Sequence, residues 1–399
     1  MSNTSTSTVA GILPDAQALQ LLLRLLAIPG LSGAESKVVE FLHETLIRAG
    51  VSPSALTMDG ANLRSSVDGE VGNLVLRLPG TLRAPRRMLV AHMDTVPVCQ
   101  GARPIQRGRR IVARDKDTGL GADNRAGVGV LLTTALSILQ NELPHPPLTF
   151  LWTVQEEVGL HGAHHVGLRA LGKPKLAFNW DGSAADSLKI GATGGYRMNI
   201  EIRGIASHAG GHPEQGVSAI VIASLAIADL VRNGWHGLIE KGSQRGTSNV
   251  GVIHGGEATN VVTDLVRIRA EARSHNSKFR ERIVREIEKA FRKAAKQVRS
   301  AAGKLGEISF DGQLDYDSFR LPLSDPSVVT ASAAIKAEGC QPNLGIVNGG
   351  LDANWLTAHG IPTVTLGCGQ NNIHTVNEWL DLDEFHRACR IAVRLATEV

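Results

Sequence analysis

The sequence predicts an α/β fold in which a mixed sheet flanked by helices is interrupted by a smaller α+β insertion. Two apolar runs, 88–91 and 148–154, have the composition of buried strands, and helical patterns lie between such runs. Apolar and polar residues alternate strictly at 196–203 and 266–273, which indicates strands with one face in water, as in antiparallel sheets. The chain therefore combines two kinds of sheet.

The first part of the chain, 10–193, carries the pattern of the buried α/β sheet. Leucines at helical spacing predict a helix that ends at Pro29-Gly30, and a second helix ends at Gly50. A glycine-rich loop at 119–127 leads into a further helix that runs through Leu139. The predicted strands of this part are 73–78, 88–91 and 148–154.

The insertion is predicted at 194–320, where two helices accompany the alternating strands. The second of them, at 279–298, has a strongly basic face, for which solvation is the simple interpretation and an anionic partner the alternative. The buried α/β pattern returns in the remainder, 321–399. The other predicted elements are a helix at 216–231, a helix at 328–337, a strand at 362–366 and a closing helix at 382–397.

Composition excludes several classes of protein. A chain of 399 residues with 43% apolar residues suits two packed domains. A net charge of +4 and only 4% aromatic residues argue against a nucleic-acid-binding protein. Residues 1–9 lack the basic start and apolar run of a signal peptide, and the apolar stretch 19–26 is too short to span a bilayer. Since the four cysteines form no CxxC pair, we expect a cytoplasmic protein without disulfides or membrane segments.

A histidine and an aspartate follow the strand at 88–91. His92 and Asp94 are two residues apart, so both point to the same side of an extended chain. They lie at the carboxyl end of the strand, where open α/β sheets place their sites. This pattern is typical of a metal ligand with its orienting carboxylate, although a hydrogen-bonded pair at a strand end explains this motif alone equally well.

Asp123 lies in the glycine-rich segment 119–127, directly before a helix. An aspartate at this place serves either as a helix N-cap or as a metal ligand whose two oxygens bridge two cations. A phosphate-binding loop is a third alternative. The segment contains neither GxGxxG nor GxxxxGK[ST], which argues against that alternative.

Further acidic and imidazole side chains follow the other apolar strands. Glu156 and Glu157 end the strand at 148–154, where adjacent acids are unfavourable unless positive charge neutralises them. An exposed, unpaired location is the alternative for this pair. Asp181 follows a short apolar stretch, and His374 follows the late strand and its turn.

Because these side chains follow strands of one predicted sheet, they can converge at one of its edges. Two divalent cations bring four positive charges, three ligand carboxylates bring three negative charges, and one bound hydroxide would make the cluster neutral. A mixture of imidazole and carboxylate suits two zinc ions, with cobalt or manganese as alternatives. The five candidate ligands are His92, Asp123, Glu157, Asp181 and His374.

Seven segments carry a family resemblance: HMDTVP at 92–97, LGADNRAG at 120–127, QEEVGLHGA at 155–163, GGEATNVV at 255–262, EARSH at 271–275, GGLDAN at 349–354 and IHTVNE at 373–378. Together they resemble the motifs of the zinc exopeptidases and deacylases that include aminoacylase, glutamate carboxypeptidase and peptidase T. The chain is most similar to the peptidase T-like tripeptidases. The resemblance covers nearly the whole chain from about Leu19.

The resemblance implies a dinuclear zinc exopeptidase that hydrolyses short peptides, in particular tripeptides, from the amino end. One zinc ion would be bound by His92 and Asp181, the other by Glu157 and His374, and Asp123 would bridge both. Family members with other specificities, an N-acyl amino acid deacylase or a carboxypeptidase, would have the same ligands. A non-catalytic metal- or peptide-binding protein is a different class of alternative.

The resemblance also assigns the remaining roles. Glu156 would be the general base, because this family places its base directly before a ligand glutamate, and Asp94 would orient His92. A purely binding site has no need of such a base. The insertion would be a ferredoxin-like lid that forms a homodimer interface and sends His208 into the partner's active site. The residues implied to bind substrate are Asn260, Arg273, Gly349, Gly350 and Asp352.

Three more histidines, 161, 164 and 165, lie close behind the acidic pair in the sequence. We interpret them as non-ligands, because the set of five ligands is already complete. A nucleotide-binding oxidoreductase is the weakest alternative, since the chain lacks the glycine fingerprint of that class.

Overall fold

The computed structural model of the protein describes residues 11–398. Contacts divide them into two compact units. The first unit holds the described residues up to Gly191, Arg320–Val347 and the residues from Leu351 onwards, and the second holds Ala192–Phe319 and Asn348–Gly350. The predicted insertion, 194–320, overlaps the second unit, and its role as a separate domain stays a prediction.

The seven predicted helices begin and end close to their predicted positions, and four short helices, α3, α5, α6 and α10, were not predicted. In chain order they are α1 (Asp15–Leu26), α2 (Ser36–Arg48), α3 (Ala61–Arg64), α4 (Ala122–Gln140), α5 (His161–His164), α6 (Leu168–Leu171), α7 (Ala219–Arg232), α8 (Ser277–Gln297), α9 (Pro326–Ala337), α10 (Asp352–Ala358) and α11 (Leu382–Thr397). Among residues 11–398, no helix combines the length and the apolar content needed to cross a bilayer.

The strands form three sheets. In chain order they are β1 (Leu56–Met58), β2 (Leu74–Leu78), β3 (Arg87–His92), β4 (Pro104–Arg107), β5 (Arg110–Ala113), β6 (Leu148–Thr153), β7 (Leu176–Trp180), β8 (Ser187–Ala192), β9 (Gly194–Arg203), β10 (Gly237–Lys241), β11 (Gln244–Gly255), β12 (Leu265–Ser274), β13 (Glu307–Tyr316), β14 (Phe319–Arg320), β15 (Asn343–Val347), β16 (Thr363–Leu366), β17 (Gln370–Asn371) and β18 (Trp379–Asp381).

The largest sheet is mixed and carries the buried strands that the apolar runs predict. Its order is β1-β2-β6-β3-β7-β16-β8, with β14 and β15 both bordering β8. At its centre β6, β3, β7 and β16 are adjacent and mutually parallel, whereas β2 and β8 run antiparallel to their neighbours. Because the four central strands are parallel, their carboxyl ends meet at one edge of the sheet.

Helices cover this sheet because its central strands are apolar on both faces. Every residue of β3 and β6 is buried. The helix α4 contacts β3 and also α1 and α11, and it is buried on all sides from Ala122 to Ile138. The helix α9 packs against two other strands of the sheet, β7 and β16. The predicted α/β fold class is confirmed.

The second unit holds an antiparallel sheet of order β10-β11-β12-β9-β13. Met198, Ile200 and Ile202 of β9 alternate with polar residues and lie in one apolar core together with side chains of β12, α7 and α8. Without the edge strand β10, the elements follow the order β-α-β-β-α-β of a ferredoxin-like sheet. The predicted smaller α+β part of the fold is also confirmed.

Some strands were not predicted. Most residues of β11 after Val250 are exposed, so no apolar alternation marks this strand in the sequence. The third sheet, of order β17-β18-β5-β4, consists of strands of two to four residues. Strands this short give no periodic signal, yet this sheet fixes the segment that leads to His374.

Candidate metal centre and active site

Four of the five candidate ligands lie at or after the ends of the four central parallel strands. His92 is the last residue of β3, Asp181 directly follows β7, and Glu157 follows β6 after a short turn. His374 comes after β16 and the short strand β17, and Asp123 lies at the start of α4. The edge of the sheet thus places all five near one another, as the sequence analysis predicts.

Two imidazoles face different oxygens of one carboxylate at the centre of this group. His92 Nε2 lies 3.1 Å from Asp123 Oδ1, and His374 Nε2 lies 3.1 Å from Asp123 Oδ2. Each imidazole also approaches a second acid: His92 Nε2 is 3.9 Å from Asp181 Oδ1, and His374 Nε2 is 3.0 Å from Glu157 Oε1. The arrangement therefore consists of two imidazole–carboxylate sets that share Asp123.

Asp94 connects His92 to the segment that carries the acidic pair. Its Oδ1 lies 3.4 Å from His92 Nδ1, on the side of the ring opposite Asp123. The two oxygens also accept the backbone N–H groups of Glu156 and Glu157, at 3.0 and 3.1 Å. The hydroxyl of Ser32 donates to Oδ2 at 2.6 Å. One buried carboxylate thus orients the imidazole and holds the loop after β6.

Glu378 is a functional residue that the sequence analysis did not single out. Its Oε2 accepts the backbone N–H groups of Leu120 and Gly121 at 2.9 and 2.7 Å, and its Oε1 accepts that of Asp123 at 3.0 Å. Gly121 has φ 76°, a conformation that favours glycine. The only sequence signal was the position of Glu378 at the end of the segment IHTVNE, to which no role was assigned.

The electrostatics of the cluster reflect several acids buried together. Burial, followed by the charges of neighbouring acids, raises the pKa of Asp181 well above its usual range. Burial also raises the pKa of Glu157, and the charge of Asp123 adds to it. The pKa of His374 rises to about 10, because Asp123 and Glu157 accept hydrogen bonds from its ring. These side chains therefore need additional positive charge to neutralise the acids that are buried together.

The residues fit divalent cations, because such ions would supply the positive charge that the buried acids need. One set of ligand atoms, from His92, Asp123 and Glu157, lies within 4.8 Å of one another, and a second set comes from His92, Glu156 and Asp181. Imidazole nitrogens and carboxylate oxygens are the donors found in zinc, cobalt and manganese sites. A divalent cation would supply the charge that protonated imidazoles otherwise provide.

Glu156 differs from the candidate ligands in its hydrogen bonding. Within the described range 11–398, no side chain donates a hydrogen bond to its carboxylate, although its backbone N–H is held by Asp94. Burial raises the pKa of Glu156 well above its usual range, and the charges of Asp181 and Glu157 raise it further against the opposing effect of His92. Its carboxylate thus favours holding a proton.

Asp352, predicted to bind substrate, is buried at the start of α10. One of its oxygens accepts a hydrogen bond from the hydroxyl of Thr153, the last residue of β6. Burial raises the pKa of Asp352 to about 6. Its electrostatic neighbours include His92 and Asp94, so it belongs to the surroundings of the candidate metal centre.

The other predicted residues lie in the second unit. His208 and Asn260 are close together, since His208 bridges to Val261 and the Asn260 carbonyl accepts the N–H of Ala209 at 2.9 Å. The Nδ1 atom of His208 accepts the backbone N–H groups of Gly210 and Gly211 at 3.1 and 2.9 Å. A neutral His208 ring must therefore carry its proton on Nε2, which makes Nε2 a hydrogen-bond donor.

Arg273 and the predicted glycines also have defined surroundings. The guanidinium of Arg273 donates to both oxygens of Glu271 at 3.0 and 2.9 Å. A Cβ added at Gly350 would lie 2.6 Å from the ring of Tyr316, whereas a Cβ at Gly349 would meet no atom of the described residues within 4 Å. Of these two positions, close packing thus requires glycine at 350.

The profile of the family described as Peptidase family M20/M25/M40 matches residues 88–398 of the chain. The Bacillus subtilis protein YqjE, described as uncharacterized, is 32% identical over 333 residues, which make up 82% of this chain and 84% of YqjE. The family match includes every segment that holds a candidate ligand.

Two solved structures are similar over nearly the whole chain. A tripeptidase from Staphylococcus aureus has a TM-score of 0.86 and 29% identity, over 97% of this chain and 99% of its own. The aminopeptidase PepT from Bacillus cereus has a TM-score of 0.82 and 31% identity, again over 97% and 99% of the two chains. The predicted resemblance to peptidase T-like tripeptidases is confirmed.

Proposed function

Because the chain belongs to the M20/M25/M40 peptidase family, we propose that it hydrolyses short peptides, in particular tripeptides, from the amino end. The similarity to a tripeptidase and to the aminopeptidase PepT supports this specificity. Conversion of a peptide to a free amino acid and a shorter peptide needs an activated water and a proton for the leaving amine. The candidate site has groups suited to both tasks.

The observation that carries the proposal is the position of Asp123 between two imidazoles. Its two oxygens face His92 and His374 separately, at 3.1 Å each, as a carboxylate that bridges two cations would. In this proposal His92 and Asp181 would hold one zinc ion, Glu157 and His374 would hold the other, and Asp123 would serve both. When bound, such cations lower the pKa of a coordinated water to roughly 7 and polarise a carbonyl oxygen.

Glu156 is proposed as the general base. Its carboxylate accepts a proton from the attacking water and then donates that proton to the amine that leaves. Burial shifts the pKa of Glu156 upwards, towards the pH range in which one group can both accept and return a proton. Such transfer contributes on the order of 10²–10⁴ in rate. Asp94 supports this role of Glu156, because its Oδ1 accepts the backbone N–H of Glu156 at 3.0 Å and so fixes that segment.

The second unit is proposed as a lid through which two subunits form a homodimer. His208 would then donate from Nε2 to the developing oxyanion in the partner's site, a role that its two backbone contacts at Nδ1 favour. Asn260 and Arg273 would bind the carbonyl and carboxylate groups of the peptide. Arginine suits the second task because its planar guanidinium matches a carboxylate.

The direct test is a panel of dipeptides, tripeptides, N-acyl amino acids and peptides blocked at either end. We expect hydrolysis of tripeptides with a free amino group, loss of activity with a chelator, and recovery with zinc. Preference for N-acyl amino acids would identify a deacylase, and release of the carboxyl-terminal residue a carboxypeptidase. Hydrolysis that is unchanged by complete metal removal would contradict the proposed mechanism.

A further inference from the structure

A second group of imidazoles lies on and next to α5. Nitrogen atoms of His161, His164 and His165 all lie within 4.8 Å of one another, and all three residues are partly exposed. The spacings of three and four residues put them on one face of a helical turn. None of the three belongs to the proposed set of five ligands, so this cluster has no part in the proposed function.

The rings of the cluster stack on one another and on a neighbouring tryptophan. His164 lies against Trp355, with ring centroids 3.6 Å apart and planes 11° apart, and against His165 at 4.2 Å. His359 Nε2 lies 3.0 Å from the backbone carbonyl of His164. The cluster is therefore packed against α10, which carries Trp355.

We propose that His161, His164 and His165 bind one divalent transition-metal ion at a site separate from the candidate metal centre. Three imidazoles favour Zn²⁺, Ni²⁺ or Cu²⁺ and disfavour Mg²⁺ and Ca²⁺, which prefer oxygen ligands. Water would complete the coordination. Metal–nitrogen bonds of about 2.0–2.1 Å require ligand atoms roughly 3.4 Å apart. The three rings lie nearly parallel, so they must turn out of their stack to direct three nitrogens at one ion.

The protonation state of the cluster supports this site. Burial, followed by the neighbouring histidines, lowers the pKa of His164 to about 4, and burial, followed by the charge of Arg64, lowers the pKa of His165. Neutral imidazole is the form that binds metals, and the lowered pKa values favour this form of His164 and His165. One group opposes a cation: the guanidinium of Arg64, which donates to the His165 carbonyl and whose charge acts on the His165 ring.

A bound ion would act on the segment that carries Glu156. The N–H of Leu160 donates to the Glu156 carbonyl at 2.8 Å, and the N–H of His161 donates to the Gln155 carbonyl at 3.1 Å. A metal that ties His161 to His164 and His165 therefore also restrains this turn. The site would stiffen the loop after β6 without contacting substrate.

The test uses full-length protein loaded with two equivalents of zinc per chain, enough for the candidate metal centre alone, and then titrated with Ni²⁺, with bound nickel measured after gel filtration and tryptophan fluorescence followed in parallel. We expect His165→Asn to bind this nickel at least ~10-fold more weakly than the wild type. Trp355→Phe should bind it normally while losing the fluorescence quenching, because Trp355 stacks on a ligand. Arg64→Gln should bind it more tightly, because a repelling charge is gone.

His43→Gln, which changes an exposed histidine on α2, is the matched control and should bind nickel like the wild type. Nickel that exchanges into the candidate metal centre appears equally in all variants, so it does not affect the comparison. If His165→Asn unfolds, His161→Asn gives the same measurement. Equal nickel binding by the wild type and by the folded histidine variant would overturn the proposal.

Discussion

The Glu378 carboxylate holds the backbone of Asp123, whose N–H it accepts at 3.0 Å. The same carboxylate accepts two further N–H groups of the loop that leads to Asp123. Three N–H groups converge on two oxygens, so the charge of Glu378 determines the conformation of this loop. The shared ligand of the proposed metal centre is thus positioned by a residue far along the chain.

We predict that Glu378→Gln weakens metal binding. A glutamine amide has one acceptor oxygen, and its NH₂ group would face a backbone N–H that needs an acceptor. Loss of such a supporting contact typically costs 10–100-fold in metal affinity. Dialysis against buffers of defined free zinc, followed by metal analysis, would measure the effect.

The matched control is Glu44→Gln, because Glu44 forms only an exposed ion pair with Arg48. It should bind zinc like the wild type. Undiminished zinc affinity of Glu378→Gln would show that the loop holds Asp123 without this carboxylate.

The two neighbouring acids after β6 should respond in opposite ways to the same substitution. Glu156→Gln should retain the bound zinc and lose about 10²–10⁴ in kcat, because the proton acceptor is gone. Glu157→Gln should lose zinc, because Glu157, whose Oε1 lies 3.0 Å from His374 Nε2, is a proposed ligand. Metal content and steady-state kinetics of both variants make the comparison. Loss of zinc in Glu156→Gln would make Glu156 a ligand instead.

Much of the metal centre could be predicted from sequence because its parts follow apolar strands. The buried runs of β3 and β6 are visible as composition, and polar residues at their carboxyl ends must converge once the strands are parallel. For the same reason His92, Glu157 and Asp181 could be grouped without a structure. No local sequence pattern indicates how these side chains are arranged around Asp123.

The remaining features depend on contacts between distant segments. Glu378 follows a polar stretch and would pass for a surface residue, since its function depends on a loop more than 250 positions away. The strand β11 has few buried residues, and its pairing with β12 places it in the sheet. Likewise, the stack of His164 on Trp355 joins α5 to α10, which no periodicity indicates.

Metal removal should lower the stability of the protein. Without cations the buried acids repel one another, and binding at 100 times Kd contributes about 2.7 kcal/mol per site. We therefore expect the melting temperature to fall by roughly 5–10 °C in chelator. His374→Asn, which lacks a proposed ligand, should show a smaller response. Equal melting temperatures of wild-type protein with and without chelator would contradict the proposed centre.

Glu35 should make stability depend on pH. Its Oε1 accepts the N–H groups of Gly33 and Gln155 at 2.9 and 3.0 Å, while Oε2 has no partner among the described residues. Burial, and then the charge of Asp94, raises the pKa of Glu35 from 4.5 to about 7. The folded state thus binds this proton more tightly than the unfolded chain, and stability falls as pH rises from about 4.5 to 7.

Glu35→Gln removes this titration while keeping an acceptor oxygen. We expect the variant to be more stable than the wild type at about pH 8, by at most about 3 kcal/mol, with the advantage lost near pH 5. Urea unfolding at both pH values would measure it, with Glu44→Gln as the exposed control. An advantage that is the same at both pH values would mean that Glu35 does not cause it.

The proposed role of His208 in the partner's site can be tested by mixing two inactive variants. Glu156→Gln keeps His208, and His208→Ala keeps Glu156, so a heterodimer of the two would contain one intact composite site. After random exchange of subunits at equal concentrations, half of the dimers are heterodimers with one working site of two. The mixture should therefore recover roughly a quarter of wild-type activity.

The control is a mixture of Glu156→Gln with Glu157→Gln. Both changes affect the same subunit's metal centre, so no combination of these chains gives an intact site, and activity should stay at the level of the separate variants. Light scattering of each protein would establish the dimer on which the argument depends. If Glu156→Gln and His208→Ala exchange subunits without gaining activity, His208 serves the site of its own subunit or none, because a contribution to the partner must appear in the heterodimer.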